Sequence, residues 1–305
     1  MRILLTGAFA YTPAQLAQLK NMGLEITFVQ DEREPLEMDV SAFEVVVCNG
    51  LFLYNDIRRF SSLRFIQVTS AGLDRLPLDY IRAQGIRLCN ARGVYSVPMA
   101  EWAVGGVLSL YKHLNRFSEQ QKNRLWEKDR TVRELAGQTV CIVGAGSVGT
   151  ACAQRFKAFD TTVLAADIRK PPGGFDAYYP MDKLQDALAR ADVVVLTLPL
   201  TDSTRGLFDA EMLACCKRGA VLVNIARGAV VCEAALVAAL ESGRLSGAVL
   251  DVFETEPLTE SSPLWQMEQV LVTPHNSFVS GRNGERLFHL IEENLRAYLN
   301  QGGKE

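Results

Sequence analysis

Short apolar runs alternate with polar, helix-periodic segments along the whole chain, and this alternation restricts the possible folds more than any other feature of the sequence. RILLT (2–6), LEITFV (24–29), FEVVVC (43–48) and LRFIQV (63–68) form an early series, separated by segments such as PAQLAQLKNMG at 13–23. TVCIV (139–143), TVLAA (162–166), DVVVLTL (192–198), AVLVNIA (220–226), GAVLDV (247–252) and QVLVT (269–273) form a second. Strands alternating with helices predict βαβ units, and hence parallel sheets covered by helices on both faces. The expected class is therefore α/β, with two doubly wound parallel-sheet domains. A length of 305 residues fits two domains of about 150 residues each. A long helix is expected from Pro98, a residue suited to a first helical turn, to about Phe117. The polar stretch SEQQKNRLWEKDRTVREL after it also carries helical periodicity, and a closing amphipathic helix is expected over 284–300.

Composition removes several classes of function. A net charge of −3 with scattered Lys and Arg gives no electrostatic footprint for nucleic acid. No apolar run reaches the length of about 18 residues that a membrane span needs. The seven cysteines are odd in number and form no CxxC pair. Most lie in apolar runs, as reduced, buried thiols of a cytoplasmic protein do. Only three histidines occur, at 113, 275 and 289, and with unclustered cysteines they argue against a metal site. The opening MRILLTGAFA has the outline of a secretory signal, but the run is short and broken by Thr6 and Gly7. We read it as a first strand and turn.

GAGSVG (144–149) places glycines at 144, 146 and 149 directly after the strand TVCIV and before the helix-compatible TACAQRFKAF. In that setting G-x-G-x-x-G is a dinucleotide-binding turn. Gly144 permits the tight turn, Gly146 lets the backbone approach the pyrophosphate, and Gly149 allows close helix–strand packing. Ser147 and Val148 open the helix, whose amides and dipole favour phosphate. TVLAA ends at Asp167, near the spacing of about 20 residues expected for the acid that binds the ribose hydroxyls. That carboxylate would repel a 2′-phosphate, so NAD (as NADH) is expected over NADP, although Arg169 and Lys170 follow closely. A methyltransferase using the same loop for S-adenosylmethionine would leave every later motif unexplained.

Ligands of open parallel sheets bind beyond the carboxyl ends of the strands. In the second series those ends carry Leu198 and Pro199, Ala226 and Arg227, Glu254 and Glu256, and Pro274 and His275. An arginine, acids and a histidine beside a nicotinamide suit hydride transfer to a ketone. Histidine titrates near neutrality and can give the carbonyl its proton. Arginine grips a carboxylate in fork geometry, and a carboxylate beside a histidine favours its charged form. In AVLVNIARG, Ala226 is expected to end the strand and Arg227 to be the first residue beyond it.

With GAGSVG, NIARGAVV, DVFETEPL (251–258) and TPH (273–275) in this order, and TSAGLDRL (69–76) and VPMAEWAV (97–104) ahead of them, the chain resembles the D-isomer-specific 2-hydroxyacid dehydrogenase family over essentially its whole length. The resemblance implies a flavodoxin-like substrate domain, 1–97 plus 279–305, and an inserted Rossmann NAD-binding domain, 98–278. It implies that Arg227 binds the substrate carboxylate and polarises its carbonyl, with His275 as general acid in reduction and base in oxidation. Glu256, immediately before Pro257, matches the family's histidine partner and Glu254 does not. Asp251 would reach the nicotinamide amide, and Ala71 and Gly72 would offer amides to the substrate carboxylate. The implied reaction is reduction of a small 2-oxo acid to its D-2-hydroxy acid; a catalytically idle, dinucleotide-sensing protein of the same fold is the alternative. Homodimers are common in the family, and Trp126 is a candidate to meet a neighbouring subunit. Asn276-Ser277-Phe278 follows the histidine where the family often has glycine or alanine, so the pocket wall departs from the pattern. Phe52, Tyr54 and Phe278 are candidates to line an apolar pocket.

Overall fold

The computed structural model describes residues 1–301. They divide into two compact units, one formed by Met1–Tyr95 with the segment from Ser280, the other by Ser96–Val279. The first contains β1 (Arg2–Thr6), α1 (Pro13–Asn21), β2 (Glu25–Val29), β3 (Val45–Cys48), α2 (Leu51–Tyr54), β4 (Phe65–Val68), α3 (Leu78–Ala83) and β5 (Arg87–Cys89). Its strands pair in parallel in the order β2-β1-β3-β4-β5, which is the flavodoxin-like 2-1-3-4-5 arrangement. β3 and β4 are buried along their whole length, which explains their unbroken apolar runs. α1 starts where the sequence signals it: Thr12 and Gln15 form a capping box ahead of Pro13.

The second unit runs through α4 (Ser96–Tyr111), α5 (Leu114–Lys122), β6 (Thr139–Val143), α6 (Ser147–Lys157), β7 (Thr162–Asp167), β8 (Ala177–Pro180), α7 (Leu184–Leu188), β9 (Val193–Leu196), α8 (Ala210–Cys215), β10 (Ala220–Asn224), α9 (Glu233–Glu241), β11 (Leu245–Leu250) and β12 (Val270–Val272). The chain then returns to the first unit with α10 (Asn283–Gln301). The strands form a parallel sheet in the order β12-β11-β10-β9-β6-β7-β8. Counted from β6 this is the Rossmann order 3-2-1-4-5-6 with one strand added, and its switch point lies between β6 and β9. Both faces are covered by apolar cores. One contains Leu222, Leu236 and Leu250, and the other contains Val107, Ile142 and Phe156.

Four details differ from the expectations. The unit boundaries fall at Tyr95/Ser96 and Val279/Ser280, not at 97/98 and 278/279. Helix α4 starts at Ser96, with Pro98 still in its first turn, and its Ala100, Ala103 and Val107 pack into the second unit's core. The helix does not continue to Phe117, because His113 takes a left-handed φ of 50° and starts a new helix there. The polar stretch is helical only to Lys122. Beyond it Arg124 is again left-handed (φ 56°), Arg133 stacks on Tyr111 at 4.0 Å, and Leu135 is buried. β5 and β8 were not expected; both are edge strands, half-buried, one opening with Arg87 and the other ending in Pro180, so neither shows an apolar run.

Candidate active site

The glycine loop occupies the switch point of the second sheet. Gly144 has a φ of 99°, and a Cβ there would lie 2.9 Å from the Thr197 carbonyl carbon. The loop after β6 is thus pressed against the loop after β9, and Thr197 Oγ1 donates to the Gly144 carbonyl at 2.5 Å. Gly149 is equally constrained, since its Cβ would meet the Gly144 oxygen at 2.1 Å. Gly146 is different: a Cβ there would meet no protein atom within 4 Å. Gly146 is also the N-cap of α6, and no side chain caps that helix, so the first-turn amides at Ser147 and Val148 face a cradle left open by the chain itself. At the end of β7, Asp167 Oδ2 accepts from Ala145 N at 2.6 Å and Oδ1 from Arg169 N at 3.2 Å. The carboxylate is therefore fixed at the loop. Cradle, bare helix end and carboxylate together fit a dinucleotide. Leu198 and Pro199 follow β9, half-buried and exposed respectively, and Arg169 and Lys170 are exposed.

Arg227 lies three residues past its strand, not one as expected. β10 ends at Asn224 because the Asn224 side chain diverts the backbone. Its Oδ1 accepts from Ala226 N (3.1 Å) and its Nδ2 donates to Arg227 O (3.2 Å). Ile225 and Ala226 remain buried after leaving the sheet, which is why the apolar run suggested a longer strand. Arg227 Nη1 donates to the Ala226 carbonyl at 2.8 Å. Gly228 follows because nothing larger fits. Its Cβ would sit 1.8 Å from the Phe253 carbonyl carbon.

Asp251, one residue beyond β11, is wholly buried. Its Oδ1 accepts from Thr273 Oγ1 (2.6 Å) and Asn276 N (2.7 Å), and its Oδ2 from Ser277 N (2.9 Å). Its carbonyl accepts from His275 N at 2.8 Å. The loop after β12 is wrapped around this one carboxylate, and His275 projects from it with a left-handed φ of 51°. His275 Nδ1 lies 2.8 Å from Glu256 Oε2, while Glu256 Oε1 accepts from Phe253 N at 3.1 Å. An ionised carboxylate only accepts, so Nδ1 carries a proton and Nε2 is the nitrogen left for other chemistry. The His275 side chain is 40% exposed, and the Phe278 ring stands edge-on to it, centroids 5.9 Å apart at 86°. Of the two glutamates in DVFETEPL, Glu256 meets His275. Glu254 instead accepts from the Glu233 amide at the start of α9 (2.8 Å). A histidine and a guanidinium thus stand at strand ends of the sheet whose switch point holds the glycine loop.

Ala71 and Gly72 belong to the other unit, in the turn after β4. Their carbonyls are fixed by Asn90 Nδ2 (2.7 Å) and Ser70 Oγ (2.9 Å). Sequence reasoning missed Asn224 and the tie from Thr273 to Asp251, and no local pattern marks either. Gly228 directly after a strand-end arginine was the available signal for the close contact with Phe253. Among the described residues, no three His, Cys, Asp or Glu side chains gather where they could hold a metal ion. No described helix is long and apolar enough to cross a membrane.

Residues 104–277 match the sequence profile of the D-isomer specific 2-hydroxyacid dehydrogenase NAD binding domain. The (S)-sulfolactate dehydrogenase of Chromohalobacter salexigens is 31% identical over 290 residues, 94% of each chain. A D-isomer specific 2-hydroxyacid dehydrogenase family protein from Aeromonas salmonicida superposes with a TM-score of 0.83 at 32% identity, over 98% of this chain and 96% of that one. The D-isomer specific 2-hydroxyacid dehydrogenase of Xanthobacter autotrophicus, solved with NADPH and MES, gives a TM-score of 0.80 at 30% identity, over 99% and 95%.

Proposed function

The chain belongs to the D-isomer specific 2-hydroxyacid dehydrogenase family, and we propose that it is an NADH-dependent reductase of a small 2-oxo acid, equally able to oxidise the D-2-hydroxy acid. The observation that carries this reading is the His275–Glu256 pair at 2.8 Å, set at strand ends of the Rossmann sheet together with Arg227.

When bound at the glycine loop, the reduced cofactor supplies a hydride to the substrate's carbonyl carbon. Everything else falls to the chain. Arg227 grips the substrate carboxylate and polarises the carbonyl. His275 Nε2 gives its proton to the carbonyl oxygen in reduction and takes one from the hydroxyl in oxidation. Glu256 holds Nδ1 and offsets the charge on the ring. Gly144, Gly146, Ser147, Val148 and Gly149 receive the pyrophosphate, and Asp167 the adenosine ribose. Leu198, Pro199 and Ala226 line the cofactor site. Asp251 is the group assigned to the nicotinamide amide, and its bonds to Thr273, Asn276 and Ser277 also set the loop that carries His275.

NADH is favoured over NADPH because Asp167 is fixed beside the ribose position, with Arg169 and Lys170 as the groups that could tolerate a 2′-phosphate. Phe278 beside His275 favours an apolar substituent on the oxo acid. Trp126, 97% exposed, and Leu125, 50% exposed, support a homodimer. Seven free thiols, four of them buried, support a cytoplasmic location.

The test is oxidation of NADH and NADPH against a panel of apolar and polar 2-oxo acids, with product chirality determined. Turnover giving a D-product is expected. Tight NADH binding without turnover on any member of the panel would replace this reading with that of a dinucleotide sensor.

A further inference from the structure

We propose that Glu254 is a positioning residue for the reaction, holding the segment 253–256 against α9 so that Arg227 and Glu256 are presented together. The proposal rests on the roles given above to Arg227, Glu256 and His275.

Helix α9 begins after Cys232, whose side chain makes no capping bond. Its first amides need an acceptor from elsewhere, and Glu254 supplies one to Glu233 N at 2.8 Å. A carboxylate at a helix N-terminus is also favoured by the dipole. Against this stands the Glu233 carboxyl, which burial and then the Glu254 charge push above the usual carboxylate range. The useful part of Glu254 is thus its acceptor oxygen, while its charge is partly opposed.

Fixing residue 254 has consequences on both sides. Towards β10, a Cβ on Gly228 would lie 1.8 Å from Phe253 C and 2.5 Å from Glu254 N, so the Phe253–Glu254 peptide is the floor on which the Arg227 turn rests. Towards β12, Phe253 N donates to Glu256 Oε1, and Glu256 Oε2 meets His275 Nδ1. One peptide therefore stands between the carboxylate grip and the proton carrier. A small cavity lined by Asn224, Gly228, Glu233, Phe253 and Leu264 lies alongside it. Phe253 is buried in the core but residues 254–257 are exposed, so packing anchors only the first residue of the segment. α9 is firm, with Leu236, Ala239 and Leu240 in the core, and the Glu254 bond ties the segment to it.

Four single variants and one double variant of the full chain test this by steady-state kinetics. Glu254→Ala removes the acceptor, and Glu254→Gln keeps it without the charge. Glu233→Pro removes the donor. Proline suits a first helical position, and Cys232 before it is already extended (φ −74°, ψ 109°), as a residue preceding proline must be. Glu233→Ala keeps the N–H and is the control. Glu254→Ala is expected to lower kcat/KM for the 2-oxo acid about fivefold, the order of a lost helix cap, with KM for the oxo acid raised and KM for NADH unchanged. Glu254→Gln should recover most of the loss. Glu233→Pro should reproduce it, the double variant Glu233→Pro/Glu254→Ala should be no worse than either, and Glu233→Ala should stay near wild type. A cap that only stabilised the fold would lower Tm and leave KM where it is. Wild-type KM in Glu254→Ala, a glutamine variant as poor as alanine, or additive losses in the double variant would each overturn the proposal. His275→Ala is measured alongside. If its rate stays near that of the wild type, the underlying roles fail; if its rate falls by about 10²–10⁴ while Glu254→Ala is unaffected, only the role of Glu254 fails.

Discussion

Gly146 and Gly149 belong to the same six-residue loop, and the structure assigns them opposite sensitivities. Alanine at 149 would put a methyl 2.1 Å from the Gly144 oxygen, where real contacts essentially never fall below 3.0 Å. The loop must move by about 1 Å, which disturbs packing and phosphate geometry together. Alanine at 146 meets no protein atom within 4 Å, and the backbone there (φ −72°, ψ −159°) suits any residue. The folded state then loses only the difference between glycine and alanine at an N-cap, below about 1 kcal/mol, or at most roughly 4 °C in Tm. The methyl does, however, stand in the cradle and holds a pyrophosphate off the amides. Losing one hydrogen bond to a charged group costs about 1.5–3 kcal/mol, which is roughly 10- to 150-fold in NADH affinity. Thermal unfolding and NADH fluorescence titration measure both quantities on the same samples. Gly146→Ala should keep its Tm and lose NADH, while Gly149→Ala should lose both. Wild-type NADH affinity in Gly146→Ala would show that the cofactor does not approach the backbone there.

Arg227→Lys should lower kcat/KM for the oxo acid about a hundredfold, mainly through KM, because an ammonium cannot replace a two-pronged grip; near-wild-type efficiency would contradict the role. Asp129 is held below the usual carboxylate range by the Thr131 hydroxyl, then by His113, the Thr131 amide and Arg116. A depressed folded-state pKa contributes stability that is complete above roughly pH 4 and lost as pH falls towards the folded value. Wild-type Tm should therefore fall more steeply than that of Asp129→Asn on acidification below roughly pH 4, and parallel curves would refute this. Burial pushes the thiols of Cys141, Cys152 and Cys216 up to about 12. Iodoacetamide at about pH 8 should thus modify only Cys89, Cys215 and Cys232 in the native protein, as read by peptide mass spectrometry.

The central strands were legible because parallel strands buried on both faces must be apolar throughout, as Val45–Cys48 and Val193–Leu196 are. The edge strands β5 and β8 were not, since an edge tolerates Arg87 and Pro180. The glycine loop, Arg227 and His275 showed in the sequence because each is a residue type out of place beside an apolar run. What joins them did not show. Asn224 ends β10 early through two side-chain bonds, and Asp251 gathers Thr273, Asn276 and Ser277 across more than twenty positions of chain. Such bonds depend on tertiary neighbours, which local patterns do not encode. The break at His113 was missed for a related reason. The sequence around it is helix-compatible, and the left-handed turn accompanies the Asp129 carboxylate that binds His113 and Arg116.

The proposed reaction depends on His275 giving a proton to the carbonyl oxygen. Its most direct test is single-turnover reduction of a 2-oxo acid by the His275→Ala variant, with NADH affinity measured on the same preparation. Loss of a positioned general acid predicts a rate lowered by about 10²–10⁴ with NADH affinity within about twofold of wild type, since the glycine loop is built from other residues. A hydride-transfer rate like that of the wild type, or an equal loss of rate and of NADH binding, would contradict it.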